Sequence, residues 1–147
     1  FDFLLEVSSR YNVFAFTAAL PVYARPVLHA LQTKVVKKGG VVGLWQHIWY
    51  RSDCTQVPIA EGWNQVYTKD IIKTSKLDPS RSVLIDNSIY SFIACPDNGI
   101  PVPNFIDDPR DMALRELLPL LSELDQHVRD GGDVRDLLMP KFNLRAQ

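Results

Sequence analysis

The segment "SVLIDNSIYSF", residues 82–92, sets a short apolar run directly in front of an acid–amide pair. Val83, Leu84 and Ile85 read as a strand buried on both faces, and Asp86-Asn87 stand where such a strand would surface. The pattern recurs upstream. In "YNVFAFTAA" (11–19), Val13, Phe14, Ala15 and Phe16 predict a fully buried strand ending at Thr17. "VYTKD" (66–70) predicts a short strand ending at Lys69-Asp70, and "VVGLWQHIWYR" (41–51) is rich in the β-branched and aromatic residues that favour strands.

Helical patterns alternate with these runs. "FDFLLEVSSR" (1–10) puts Phe1, Leu4, Leu5 and Ser8 on one face of a helix end, and "PVYARPVLHALQ" (21–32) predicts a helix with Val27, Leu28 and Leu31 inward. Pro26 either kinks that helix or marks its start. "KVVKKGG" (34–40) reads as a solvated turn, "DCTQVPIAEGWNQ" (53–65) as a turn region, and "CPDNGIPVPNF" (95–105) as an irregular segment stiffened by prolines. The most regular helix is expected in "DDPRDMALRELLPLLSELDQHV" (107–128), capped by Asp108, with Pro109 first and Asp111 in the first turn. Leu114, Leu117, Leu118, Leu121 and Leu124 form its apolar stripe, and Pro119 should bend it. "DVRDLLM" (133–139) predicts one or two further turns behind the Gly131-Gly132 break. Strands alternating with helices and ending in polar residues predict a doubly wound, mostly parallel α/β sheet, in which ligands bind outside the carboxyl ends of the strands.

With 147 residues, 46% hydrophobic and 22% charged, the chain has the size and composition of one soluble domain. A formal charge of −1 and the lack of a basic stripe argue against direct nucleic-acid binding. No apolar run reaches the ~20 residues needed to span a bilayer. The chain opens at Phe1 rather than Met, so residues upstream are expected. Cys54 and Cys95 have no metal-ligand spacing and read as thiols in a reducing compartment; His29, His47 and His127 share no ligand spacing either. Trp45 and Trp49 are expected on a sheet face, while Trp63, which could line a groove, is not assigned to the site.

Three strand ends carry the chemistry. A Thr17 hydroxyl and a Lys69 ammonium are what phosphoryl oxygens need; an Asp86 carboxylate and an Asn87 amide oxygen suit a hard cation such as Mg²⁺. Each has an ordinary reading as a turn, a cap or a solvated charge. At the carboxyl ends of one parallel sheet they would converge on one crevice able to support phosphoryl transfer to an aspartate.

Their order, threonine then lysine then acid–amide pair, resembles the haloacid dehalogenase superfamily rather than receiver domains, which place their acids first. Six stretches in family order, "VFAFTAALPVYARPVLHAL", "YRSDCTQV", "VYTKDI", "SRSVLIDNS", "PDNGIPVPNFIDDPRDMALRELLPLLSEL" and "DVRDLL", resemble its CTD-phosphatase branch of small CTD, Dullard-type and NLI-interacting-factor-like phosphatases. The resemblance implies an uncapped haloacid dehalogenase-like fold and a Mg²⁺-dependent phosphatase acting on phosphoserine or phosphothreonine in a protein loop or tail. It implies that Thr17 binds the transferring phosphate, that Lys69 neutralises its charge, and that Asp86 and Asn87 hold Mg²⁺. Tyr23 and Arg51 fall at substrate-contacting positions. The sequence departs from the family at Ile89, where relatives carry proline, and in the looser spacer between Lys69 and Asp86.

The resemblance also implies a DxDxT motif whose first aspartate attacks phosphorus and whose second serves as acid and base. Residues 1–147 contain none: Asp2 in "FDFLLEV" sits in a helical pattern with no acid two positions on. The strand carrying the motif is therefore expected upstream of Phe1, central between the strands ending at Thr17 and Asp86, and residues 1–147 alone are expected to be inactive. A rival reading is a degenerate binding module resembling the mitochondrial presequence-translocase receptor. Another is a small-molecule phosphatase of the wider superfamily, although no insertion here is large enough for a cap. The resemblance implies a nuclear, nuclear-envelope or endoplasmic-reticulum location, and the binding-module reading a mitochondrial one.

Overall fold

The computed structural model describes residues 2–59, 64–104 and 112–146. The chain divides into two compact units, Phe1–Cys54 and Thr55–Gln147. The anticipated caps at Asp108, Pro109 and Asp111, and Trp63, lie outside the described residues. Among the described residues, no helix is long and apolar enough to cross a membrane.

In the first unit, helix α1 (Asp2–Val7) precedes strand β1 (Val13–Phe16), helix α2 (Pro21–Lys37) and strand β2 (Trp45–Trp49). β1 and β2 run parallel, pairing Val13 with Trp45 and Phe16 with Trp49, and α2 is the crossover between them. α1 buries Phe3 and Val7 most deeply, one turn apart, while Leu4, Leu5 and Ser8, residues expected on its inward face, are half-buried. Of β1 only Ala15 is buried, and among the described residues β2 is its one ladder partner. Phe14 stacks on Trp49 at 5.3 Å, so Trp49 does pack against the sheet as expected. The Trp45 indole donates to the Leu28 carbonyl of the crossover helix α2 at 3.0 Å.

α2 turns inward the stripe Ala24, Leu28, Leu31 and Val35, so Leu28 and Leu31 face the interior as expected, half-buried, and Val27 does not. Ala24 and Val35 are its buried residues, and Val27 is 60% exposed. Pro26 lies inside the helix; Pro21 starts it, in the first turn where a missing N–H costs least. The helix also runs through "KVVK" before it stops. The Gly40 N–H donates to the Val35 carbonyl at 2.8 Å and the Gly39 N–H to Val36 at 3.0 Å. With Gly39 at φ +82°, this is a Schellman ending that needs glycine at its left-handed position.

In the second unit, β3 (Thr55–Pro58) and β4 (Gln65–Thr68) form an antiparallel hairpin, and β5 (Leu84–Asp86) pairs in parallel with β6 (Gly99–Pro101). Helices α3 (Leu118–Arg129) and α4 (Val134–Phe142) follow. The architecture is mixed α/β built from small parallel and antiparallel sheets. β3 and β6 occupy segments expected to be turn and irregular chain. Their prolines, Pro58 and Pro101, sit at the last position of each strand, where the ladder loses little. The ladders among the described residues are three separate pairs, not one doubly wound layer. β4, expected in a parallel sheet, pairs antiparallel with β3. β5 is correspondingly less enclosed than expected: Leu84 is buried, while Val83 and Ile85 are half-buried.

The core of this unit gathers Leu84, Phe92, Ile100, Leu121, Leu124, Val134 and Leu138. Pro119 does not bend α3; it stands in the first turn, so the helix begins there and Leu114 is left 41% exposed. α4 opens with a reciprocal cap in which Asp133 and Asp136 satisfy each other's backbone donors, as a helix start requires. The Asn98 amide, 2% exposed, donates to the Pro79 carbonyl at 2.7 Å and to Ser82 at 2.9 Å. It thereby binds the approach to β5 to the approach to β6 and fixes the register that presents Asp86.

Candidate functional site

β4 ends at Thr68 and β5 at Asp86, and the residues at these two ends meet. The Lys69 ammonium forms an ion pair with Asp86 Oδ2, their side chains only 10% and 8% exposed. The other Asp86 oxygen, Oδ1, accepts the Ser88 N–H at 2.9 Å. A buried charge pair of this kind persists only when further hydrogen bonds satisfy it, and the Ser88 bond is one. Asp70, beside Lys69, accepts the Ile72 and Lys73 N–H groups and so caps its own turn. The Cys95 thiol donates to it at 3.5 Å; burial pushes that thiol up, which keeps it protonated.

Sequence reasoning did not single out Thr68, Ser91 or Asn104. Thr68 is 1% exposed; its hydroxyl donates to the Ser91 carbonyl at 3.1 Å and accepts the Ala94 N–H at 3.2 Å. The Lys69 N–H donates to the same carbonyl at 3.1 Å. Asn87 is exposed and donates from Nδ2 to Asn104 Oδ1 at 3.0 Å. The buried β-branched hydroxyl next to Lys69 was visible in the sequence as a type of residue, but its partners lie 23 and 26 positions away.

The first unit holds Thr17, Tyr23 and Arg51. The Thr17 N–H donates to the Trp49 carbonyl at 2.9 Å, extending the β1–β2 ladder by one step, and its hydroxyl accepts the Ala19 N–H at 3.0 Å. Because the hydroxyl oxygen is the acceptor in that turn, its own hydrogen can be donated outward. Arg51 is tied to the same loop, its Nε donating to the Ala18 carbonyl at 2.7 Å and its N–H to Ala19 at 3.2 Å. Tyr23, in the first turn of α2, is 71% exposed. Arg51 and Thr17 thus shape one loop, while Lys69 and Asp86 are joined in the second unit.

Among the described residues no group of three or more His, Cys, Asp and Glu could hold a metal ion. Asp86 and Asn87 are nonetheless oxygen donors of the kind a hard cation prefers, and they would fill two of the roughly six places in its shell. Their donor chemistry suits such an ion, while in this structure Asp86 Oδ2 faces the Lys69 ammonium and Oδ1 accepts the Ser88 N–H.

The chain is a mixed α/β protein with a buried lysine–carboxylate pair at two strand ends. The NLI interacting factor-like phosphatase family matches residues 1–135, and the chain belongs to that family. It is 34% identical over 138 residues to CTD nuclear envelope phosphatase 1 of Xenopus laevis, covering 93% of this chain and 49% of that one. It is 32% identical over 151 residues to nuclear envelope morphology protein 1 of Saccharomyces cerevisiae, covering 98% and 31%. Phosphatase Herzog of Drosophila melanogaster is 32% identical over 125 residues, covering 85% and 31%. The chain thus spans between 31% and 49% of the length of these relatives.

Proposed function

We propose that this chain is the greater part of the catalytic domain of a phosphoserine or phosphothreonine protein phosphatase. The observation that carries the reading is the Lys69–Asp86 pair, buried at the ends of β4 and β5 in a chain of a phosphatase family. In this reading the protein works through an aspartyl-phosphate intermediate. An aspartate of a DxDxT segment in the full-length protein attacks phosphorus, and the seryl or threonyl oxygen leaves with a proton from the second aspartate. That aspartate then takes a proton from water, which attacks the acyl phosphate and releases inorganic phosphate.

The residues of this chain supply the surroundings of that reaction. Lys69 brings positive charge to the equatorial oxygens of the transferring phosphoryl group, where charge is shared in the transition state. Thr17 donates its hydroxyl hydrogen to one of those oxygens. Arg51 and Tyr23, on the Thr17 loop and the first turn of α2, contact the substrate chain. Asp86 and Asn87 would hold Mg²⁺, which when bound would offset phosphate charge. A further strand bearing the aspartates would belong to a doubly wound, mostly parallel and uncapped haloacid dehalogenase-like fold. Two relatives bear nuclear-envelope names, which supports a location at the nuclear envelope or the adjoining endoplasmic-reticulum membrane over a mitochondrial one.

The test is release of phosphate from a phosphoserine peptide with Mg²⁺. The full-length protein should release it and residues 1–147 alone should not. Hydrolysis by residues 1–147 would mean the attacking group had been wrongly assigned.

A further inference from the structure

We propose that Thr68 is the positioning residue for Lys69, a role that rests on the phosphatase reading above. A lysine side chain carries four rotatable bonds, so the place of its ammonium depends on how firmly its backbone is held. Here the backbone is held by a closed ring of hydrogen bonds. Lys69 reaches Asp86; Asp86 Oδ1 takes the Ser88 N–H; the Ser91 N–H donates back to the Ser88 carbonyl at 3.1 Å; and the Ser91 carbonyl takes the Lys69 N–H. Apart from the Asp86 carboxylate, which takes both Lys69 and the Ser88 N–H, and the Lys69 ammonium, the ring is made of backbone. The Thr68 hydroxyl is the side chain that locks it, bonding to the Ser91 carbonyl on one side and the Ala94 N–H on the other.

The residue type suits that task. Threonine is stiff at χ1, so its hydroxyl is held in place by its own backbone. The turn it grips, Ile89–Phe92, directs Ser91 and Phe92 inward, at 3% and 2% exposure, and follows immediately on the residues that carry Asp86. Thr68 therefore sets the spacing between the end of β4, where Lys69 starts, and the turn after β5, on which Asp86 rests. Valine has the same shape without the hydroxyl: it would leave the Ala94 N–H without this partner and remove one of the two donors from the Ser91 carbonyl. Displacements of about 1 Å at a reacting centre cost on the order of 100-fold in rate.

The experiment compares full-length wild-type protein with Thr68→Val, Thr68→Ser and Lys69→Ala on a phosphoserine peptide, below the unfolding temperature of every variant. Thr68→Val should lower kcat by about 10- to 100-fold with KM changed less than about threefold, and Thr68→Ser should restore kcat to within about threefold. If Thr68→Val does not fold, Thr68→Cys, close in size with a weak donor, replaces it. The same variants are examined by NMR for solvent exchange of the Lys69 ammonium hydrogens, which should be slow in wild type and Thr68→Ser and fast in Thr68→Val. A kcat unchanged in Thr68→Val while Lys69→Ala is inactive would overturn the role of Thr68 and leave the phosphatase reading standing. If wild type releases no phosphate, the phosphatase reading fails. Exchange equally slow in Thr68→Val would then also refute the lock, and faster exchange would uphold it.

Discussion

Replacing Lys69 by methionine removes one half of a charge pair whose two side chains are no more than 10% exposed. Asp86 would keep the Ser88 N–H but lose its counter-charge, and a buried charge stranded in this way costs about 3–5 kcal/mol. Removing both charges at once, as in Lys69→Met with Asp86→Leu, leaves no stranded group. The double variant should lie within about 1 kcal/mol of wild type, because buried pairs exchanged for apolar side chains of similar volume are often neutral. Urea unfolding followed by far-UV circular dichroism measures all four proteins. With a slope of about 1–3 kcal/mol per molar, Lys69→Met should shift the midpoint by one molar or more. The double-mutant cycle should give a coupling of about 2 kcal/mol or more. A loss below about 1 kcal/mol for Lys69→Met, or a double variant as unstable as the sum of the singles, would refute the buried pair.

Two further outcomes follow from the packing around this site. At Gly99 an added Cβ would stand 2.5 Å from Phe92 and 2.7 Å from Leu144, so Gly99→Ala should cost about 1–3 kcal/mol by overpacking, read as a lower urea midpoint. The hydrogen bond from Arg145 holds the Asp97 carboxyl below its ordinary value of 3.8, with Arg145 Nε and Nη2 at 2.8 and 2.6 Å. A depressed carboxyl stabilises the fold above its unfolded value and loses that contribution as pH falls through the folded one. The stability difference between wild type and Asp97→Asn should therefore be constant above about pH 5 and shrink below about pH 4. A difference that does not vary with pH would show that the ion pair is not formed.

Much of this was legible before folding. Apolar runs ending in polar residues located β1, β2, β4 and β5, and the strand ends led directly to Lys69 and Asp86. What the sequence concealed depends on pairing. β3 and β6 were hidden by Pro58 and Pro101, since proline marks turns unless it falls where no ladder hydrogen bond is needed, which only the partner strand decides. Leu28 and Leu31 were placed on the inward stripe correctly, in phase with Ala24 and Val35; Val27 was added because it is apolar, although it lies one position off that stripe. Pro119 was read as a bend because the leucine stripe runs past it, whereas in the fold the stripe becomes a helix only from Leu118 onward. Thr68 was concealed for the same reason as the strands. Its meaning lies in Ser91 and Ala94, which local pattern cannot bring near.

The most direct test of the account is the rate of phosphate release from a phosphoserine peptide by the full-length protein and its Lys69→Ala variant, measured with saturating Mg²⁺. The account predicts turnover by the wild type and a fall of about 100-fold or more in kcat when the ammonium is removed. Equal rates in the two proteins would contradict it.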